Sequence, residues 1–267
     1  MYLLLKLLPY AFVVALAASI GSFYQTLADR ILYLFYGSGR KAIDKNGRRF
    51  SLSTSEKYRN LFLFPSSCPS CHVRISPLYL IPIFGWLFAK GRCSNCDAPI
   101  SVSHIFIEVG FALLGVAFLF VSKNVVLTLI FLFFSGHLLV SMITDWHHLI
   151  LDYENTAVLF LISILYVYFS DGEFLYHFYS FVGVALFFLI AFILTKGHQP
   201  GFGDIILAAV LGFVHGFPWV LVPLQVGAAG SILHLWLVKR DFKSAAPLGF
   251  YLSIGSILTF VVSFLLG

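Results

Sequence analysis

The chain has 267 residues, of which 60% are hydrophobic and only 11% charged, with 30 phenylalanines. Soluble domains carry about 25% charged residues, so this composition excludes a water-soluble globular protein and predicts an all-α polytopic membrane protein. The formal net charge of +5 matters through its distribution: ten of the 17 Lys and Arg (Arg40, Lys41, Lys45, Arg48, Arg49, Lys57, Arg59, Arg74, Lys90 and Arg92) fall between residues 37 and 104, against Asp44, Glu56 and Asp97, a segment net charge of +7.

In chain order, the first apolar run is free of charge from Leu7 to Ala28, 22 residues, where a bilayer core needs about 20. Lys6 before it and Ala15-Leu16-Ala17 within it imitate a secretory signal peptide. That reading would export the basic segment against the positive-inside rule, so the run is read as a true span. A basic patch such as 37–104 is also a footprint of nucleic-acid binding. Flanked by apolar spans, it is explained more simply by cytoplasmic orientation, and no nucleic-acid partner is expected.

The four cysteines all lie in this polar segment, as Cys68-Pro69-Ser70-Cys71 and Cys93-Ser94-Asn95-Cys96 with 21 residues between the pairs. Each pair on a tight turn presents two thiolates to one ion, and two pairs complete a closed tetrahedral site, so a structural zinc ion bound by Cys68, Cys71, Cys93 and Cys96 is expected. A small loop domain has little apolar core, and metal binding would supply folding free energy. Two disulfides or free thiols are the alternative; a cytoplasmic redox poise disfavours the disulfides. His72, beside Cys71, is a competing ligand, but four cysteines already fill the shell.

Seven further apolar runs follow at about 105–121, 125–144, 156–170, 174–195, 205–217, 218–238 and 245–266. Eight spans put the 37–104, 145–155, 196–204 and 239–244 connections on one side. Lys196, Lys239, Arg240, Lys243 and Arg30 then join the ten, placing 15 of 17 basic residues inside and leaving Lys6 and Lys123 outside. This predicts three parts: a first transmembrane helix (1–36), a cytoplasmic zinc-ribbon-like domain (37–104) and a membrane-embedded domain (105–267). It also brings Asp145 and Asp204 out at the same face.

Asp204 closes Gly201-Phe202-Gly203-Asp204 at the start of the run from Ile205. By itself it reads equally as a helix N-cap or as a functional carboxylate, since an ionisable group at that depth needs a partner or water. Gly201 and Gly203 would let the turn adopt positive φ or let another backbone come close. Asp145 ends the third span in Thr144-Asp145-Trp146-His147-His148. Paired carboxylates sharing a proton supply both an acid and a base, the requirement of aspartic proteolysis. The same two residues, gated by the cysteine domain, would also suit a proton- or cation-coupled transporter. Many transporters show an internal repeat, and none is visible. His147 and His148 read as interfacial anchors beside Trp146; Asp152, Glu154, Asp171 and Glu173 read as solvated loop charges. Glu108 and His137 lie inside spans and require partners that the sequence does not name.

Gly21-Ser22-Phe23 with Arg30, the Cys-Pro-x-Cys stretch with Ile81-Pro82, Gly91-Arg92-Cys93 and Pro99-Ile100-Ser101, Gly203-Asp204 with Gly212 and Gly216, and Pro247-Leu248-Gly249 with Tyr251-Leu252 and Gly255 occur in this order. The ordered set resembles the type IV prepilin leader peptidases, the bacterial GxGD aspartic proteases, over nearly the whole chain. The resemblance implies that Asp145 and Asp204 are the catalytic pair, with Gly201 and Gly203 as active-site backbone. It implies prepilin or pseudopilin substrates with a short basic leader, a Gly before the cut and an apolar helix. It also implies S-adenosylmethionine-dependent N-methylation of the new terminus, in the bacterial inner membrane, with active site and zinc domain facing the cytoplasm. The chain departs from the family at Asp152-Tyr153, where Pro then Asp or Asn is usual, and at Ile206, where Lys is usual.

Overall fold

A computed structural model describes residues 2–36, 42–43, 49–50, 54–63, 65–68, 70–71, 73–197, 199–241 and 244–266. Arg40, Lys41, Lys45, Arg48, His72 and Lys243 lie outside the described residues. The chain divides into two compact units, residues 15–112 and residues 1–14 with 113–267.

Eight apolar helices match the eight expected runs. They are α1 (Tyr2–Ile31), α4 (Ser103–Ser122), α5 (Val125–His148), α6 (Tyr153–Phe169), α7 (Phe174–Leu194), α8 (Phe202–His215), α9 (Leu221–His234) and α10 (Leu248–Leu266). Short helices α2 (Thr54–Leu63) and α3 (Phe84–Phe88), and a two-stranded antiparallel ladder of β1 (Ala42–Ile43) and β2 (Arg49–Phe50), lie between α1 and α4. The ends differ from the apolar reading in a consistent way. α5 runs on through Asp145 to His148, and α8 starts at Phe202, before Asp204. An anionic side chain suits a helix N-terminus, so α8 takes in Asp204 where hydropathy alone stops. α10 begins three residues later than expected, directly after Pro247, a residue favoured at helix starts because it lacks an N–H.

In the unit of residues 113–267, α8 packs against α6, α7 and α10, and α10 packs against α5, α8 and α9. At 14 residues α8 is about 21 Å long, short of a bilayer core, and every residue from Leu207 to His215 is buried. A helix apolar on all sides belongs inside a bundle. Its far end is held by His215, whose Nε2 is 2.8 Å from Ser256 Oγ. Phe118, Phe131, Phe134 and Phe260 form the aromatic centre, with Phe118 and Phe131 stacked at 4.3 Å and the edge of Phe260 against both Phe131 (5.1 Å) and Phe134 (5.4 Å). By contrast α7 exposes Phe174, Leu175, Tyr179, Phe187, Ile190 and Leu194, the surface expected against lipid.

Glu108 and His137, whose partners the sequence did not name, find specific ones. His137 Nδ1 donates to Asn155 Oδ1 at 2.7 Å, while Asn155 Nδ2 donates to the His137 carbonyl (3.0 Å) and to Ser141 Oγ (2.8 Å), tying α5 to α6. Glu108 Oε2 accepts the Ile83 N–H at 2.6 Å, fastening α4 to the turn before α3. Arg30, in the last turn of α1, donates to the Leu61 carbonyl in the last turn of α2 at 2.8 Å.

Candidate active site

Asp145 sits in the last turn of α5 and is only 4% exposed. Its Oδ2 accepts the Phe250 N–H at 2.9 Å, and the Gly249 N–H also faces it. The reason lies in Pro247: α10 starts just after it, so the amides of its first turn have no carbonyl partner within the helix. Such a terminus, with the positive end of the helix dipole, is a ready site for an anion. The sequence reading matched Pro247-Leu248-Gly249 to a family pattern without giving it a role. A Pro followed by Gly at the start of an apolar run was the available signal for a helix N-terminus.

Asp204 is half-buried in the first turn of α8. The N-cap is Gly201, so the reading of Asp204 itself as the cap is corrected: Asp204 is the third helical residue, and its Oδ2 reaches back to accept the Gly201 N–H at 3.1 Å. The expected positive φ is also absent. Gly201 has φ −65°, and Gly203 does not adopt the left-handed region. Close approach is what demands Gly203, because a methyl group there would lie 3.0 Å from Leu151 Cβ. The partner is a side chain, where a backbone was anticipated.

Asp145 and Asp204 lie on α5 and α8, and Leu151 relates the two: it lies against Gly203, next to Asp204, and against Gly249, where an added methyl group would lie 3.1 Å from Asp145 Oδ2. Around them, Trp146 meets the Phe250 ring at 4.8 Å and the His234 ring at 5.3 Å. His234 is buried and its Nδ1 is 3.1 Å from Tyr251 Oη; sequence reasoning had not singled it out. A shallow apolar groove of about 190 Å³ beside the site is lined by Leu139, Met142, Ile143, Trp146, His147 and Phe250. A larger groove of about 390 Å³, with Tyr176, Ser180, Val184, Phe217 and Leu224 among its walls, opens at the other end of α8 and holds no carboxylate. His147 and His148 are exposed at the end of α5, and Glu154, Asp171 and Glu173 are exposed as solvated charges should be; Asp152 is half-buried.

In the unit of residues 15–112 the cysteines form two equivalent loops, offset by 25 residues. Ser67 bridges Arg74 and the Cys68 N–H donates to the Val73 carbonyl (3.0 Å); Arg92 bridges Pro99 and the Cys93 N–H donates to the Ala98 carbonyl (2.9 Å). All four Sγ atoms lie within 4.8 Å of one another, an arrangement that could hold a metal ion. The Cys71 and Ser70 amides favour the Cys68 thiolate and hold that thiol down to about 6. For Cys96 the Ala98 amide also favours the thiolate, but crowding by the other thiols outweighs it and pushes the group up to about 12. Four thiols this close do not all ionise alone, and a cation is what would reconcile them.

Residues 15–122 match the Bacterial Peptidase A24 N-terminal domain and residues 132–267 match the Type IV leader peptidase family. Curated relatives bearing the name Prepilin leader peptidase/N-methyltransferase include a protein of Dichelobacter nodosus, 31% identical over 76% of this chain and 72% of its own. Another, from Bacillus subtilis (strain 168), is 31% identical over 73% of this chain and 81% of its own. A third, from Pectobacterium carotovorum subsp. carotovorum, is 28% identical over 91% of this chain and 90% of its own. No solved structure matches. With its second family match spanning just over half its length and running through both aspartates, this chain belongs to the type IV leader peptidase family.

Proposed function

We propose that Asp145 and Asp204 are the catalytic pair of a membrane aspartic endopeptidase that removes the basic leader from type IV prepilins or pseudopilins after a glycine. The observation that supports this reading is the packing of the Asp204 and Asp145 segments on one residue: Leu151 lies against the glycine before Asp204 and against Gly249, beside the amide that holds Asp145. Two carboxylates at short range do not both ionise cheaply, so one holds a proton while the other is anionic. The anionic member takes a proton from water as the water oxygen attacks the scissile carbonyl carbon. The protonated member donates to the carbonyl oxygen, and collapse of the tetrahedral intermediate expels the amine with a proton. The amides of Gly249 and Phe250 hold Asp145, and that of Gly201 holds Asp204, so neither carboxylate has to be ordered when substrate arrives.

The reading includes N-methylation of the new N-terminus with S-adenosylmethionine, the second activity in the relatives' names. It includes a structural zinc ion on Cys68, Cys71, Cys93 and Cys96, in a module of residues 37–104 between the first helix and the peptidase domain of residues 105–267. Tetrahedral Zn–S bonds of about 2.3 Å set sulfurs about 3.8 Å apart; the Cys68–Cys96 and Cys71–Cys93 separations are 3.7 and 3.9 Å. The charge distribution supports an inner-membrane protein with active site and metal module facing the cytoplasm.

Purified full-length protein given a test prepilin, read by mass, is expected to remove the leader with or without S-adenosylmethionine and to add a methyl group only with it. Asp145→Asn and Asp204→Asn are each expected to leave the prepilin intact while the protein still inserts. Cleavage by either variant overturns the pairing.

A further inference from the structure

We propose that Leu151 is the positioning residue that sets the geometry of the aspartate pair, a proposal that rests on the peptidase reading above. The connection between α5 and α6 contains three consecutive branched apolar residues, yet Leu149 (47%) and Ile150 (38%) are exposed while Leu151 is 8% exposed. Leu149 takes the left-handed conformation, φ 55°, and its N–H returns to the Asp145 carbonyl at 2.8 Å. That conformation is uncommon for a branched side chain and is kept only where the surroundings enforce it. It turns the chain so that Leu151 packs inward from a root fixed on Asp145 itself.

Leu151 then touches both arms of the site. Its Cβ would lie 3.0 Å from a methyl group placed on Gly203, the residue before Asp204. Its Cδ2 and Cδ1 would lie 2.8 and 2.9 Å from a methyl group on Gly249, whose amide faces Asp145. At Gly249 a methyl group would force the Leu151 δ-carbons to shift, and at Gly203 it would press on the Leu151 Cβ more tightly than most real contacts, so both glycines give Leu151 room. One side chain therefore fixes the start of α8 and the start of α10 against the same point, and the two carboxylates follow from those starts.

The test is steady-state cleavage of a test prepilin by full-length protein in liposomes. Leu151→Ala is expected to lower kcat about 10- to 100-fold, the range for a misplacement near 1 Å, with KM unchanged; Leu151→Met, which conserves volume, is expected to restore kcat. Compensation gives a sharper readout. Leu151→Ala removes the δ-carbons that crowd Gly249 but keeps the Cβ that crowds Gly203. Gly249→Ala is therefore expected to regain part of its lost activity in combination with Leu151→Ala, the 3.1 Å contact with Asp145 Oδ2 remaining, and Gly203→Ala is expected to regain none. Should Leu151→Ala fail to accumulate, Leu151→Val decides by the same kcat and KM comparison. Wild-type kcat in the truncated variant, or equal behaviour of the two glycine combinations, overturns the proposal. If Asp145→Asn cleaves, the peptidase reading beneath it has failed; if Asp145→Asn is dead and Leu151→Ala is not, only the role of Leu151 has.

Discussion

The cysteine cluster and the aspartate pair are both four-part sites, but they are assembled on different scales. Each half of the cysteine cluster closes within eight residues, Ser67 to Arg74 and Arg92 to Pro99, and the two halves repeat one another. The aspartate site draws Asp145 from one helix, Asp204 from another, the amides of Gly249 and Phe250 from a third, and Leu151 from a connection. A locally built site depends on its ligand for stability, because it has little core of its own. A site built across a bundle depends on the packing of helices that are already buried.

That contrast can be broken most forcefully at the metal. If the proposed zinc ion is held there, stripping it with a strong chelator, or replacing Cys68 and Cys93 by Ser, removes an interaction worth about 10–16 kcal/mol in small zinc domains. Limited proteolysis is expected to open the 65–100 region while α5 to α10 stay protected and prepilin cleavage persists. Loss of cleavage in step with metal would instead make the cysteine module part of the catalytic machinery. A smaller effect is expected at Gly249→Ala, whose methyl group would meet Asp145 Oδ2 at 3.1 Å as well as Leu151; kcat falls by about 100-fold with the protein normally inserted. Smallest is Asn155→Ala, which unties α5 from α6. Interhelical hydrogen bonds in membranes average about 0.6 kcal/mol and reach about 1.7, so a modest drop in thermal stability, with cleavage retained, is the expected result. Abolished cleavage there would mean that the His137–Asn155–Ser141 ties serve the chemistry directly.

The same contrast explains what could be read from the sequence. The CxxC pairs were legible as a metal set because all their geometry lies in a few adjacent residues. The eight apolar helices were legible as apolar runs, and their polar ends were misjudged by only a few residues, since hydropathy does not register that a polar residue such as Asp204 can sit inside a helix's first turn. Asp145 and Asp204 were readable as candidate functional carboxylates emerging at one membrane face, and the family resemblance implied that they are the catalytic pair. The groups that hold them were not legible. Phe250 reaches Asp145 across 105 positions through a backbone amide, which carries no side-chain signature. Leu151 is one leucine among many, and only its contact with two glycines distinguishes it. Glu108 announced that it needed a partner, but an Ile83 amide cannot be picked out from residue type. Gly203 was marked for close approach as well as for positive φ; the structure demands the room, against the Leu151 side chain, and not the conformation.

The most direct test of the central claim compares the residual cleavage rates of Asp145→Asn, Asp204→Asn and the double variant in full-length protein. Groups that act as one unit are strongly non-additive. Each single substitution is predicted to lose about 10⁴-fold and the double to be no worse than either. Losses that multiply, or a single variant that keeps cleaving, would mean that the two carboxylates do not share the reaction.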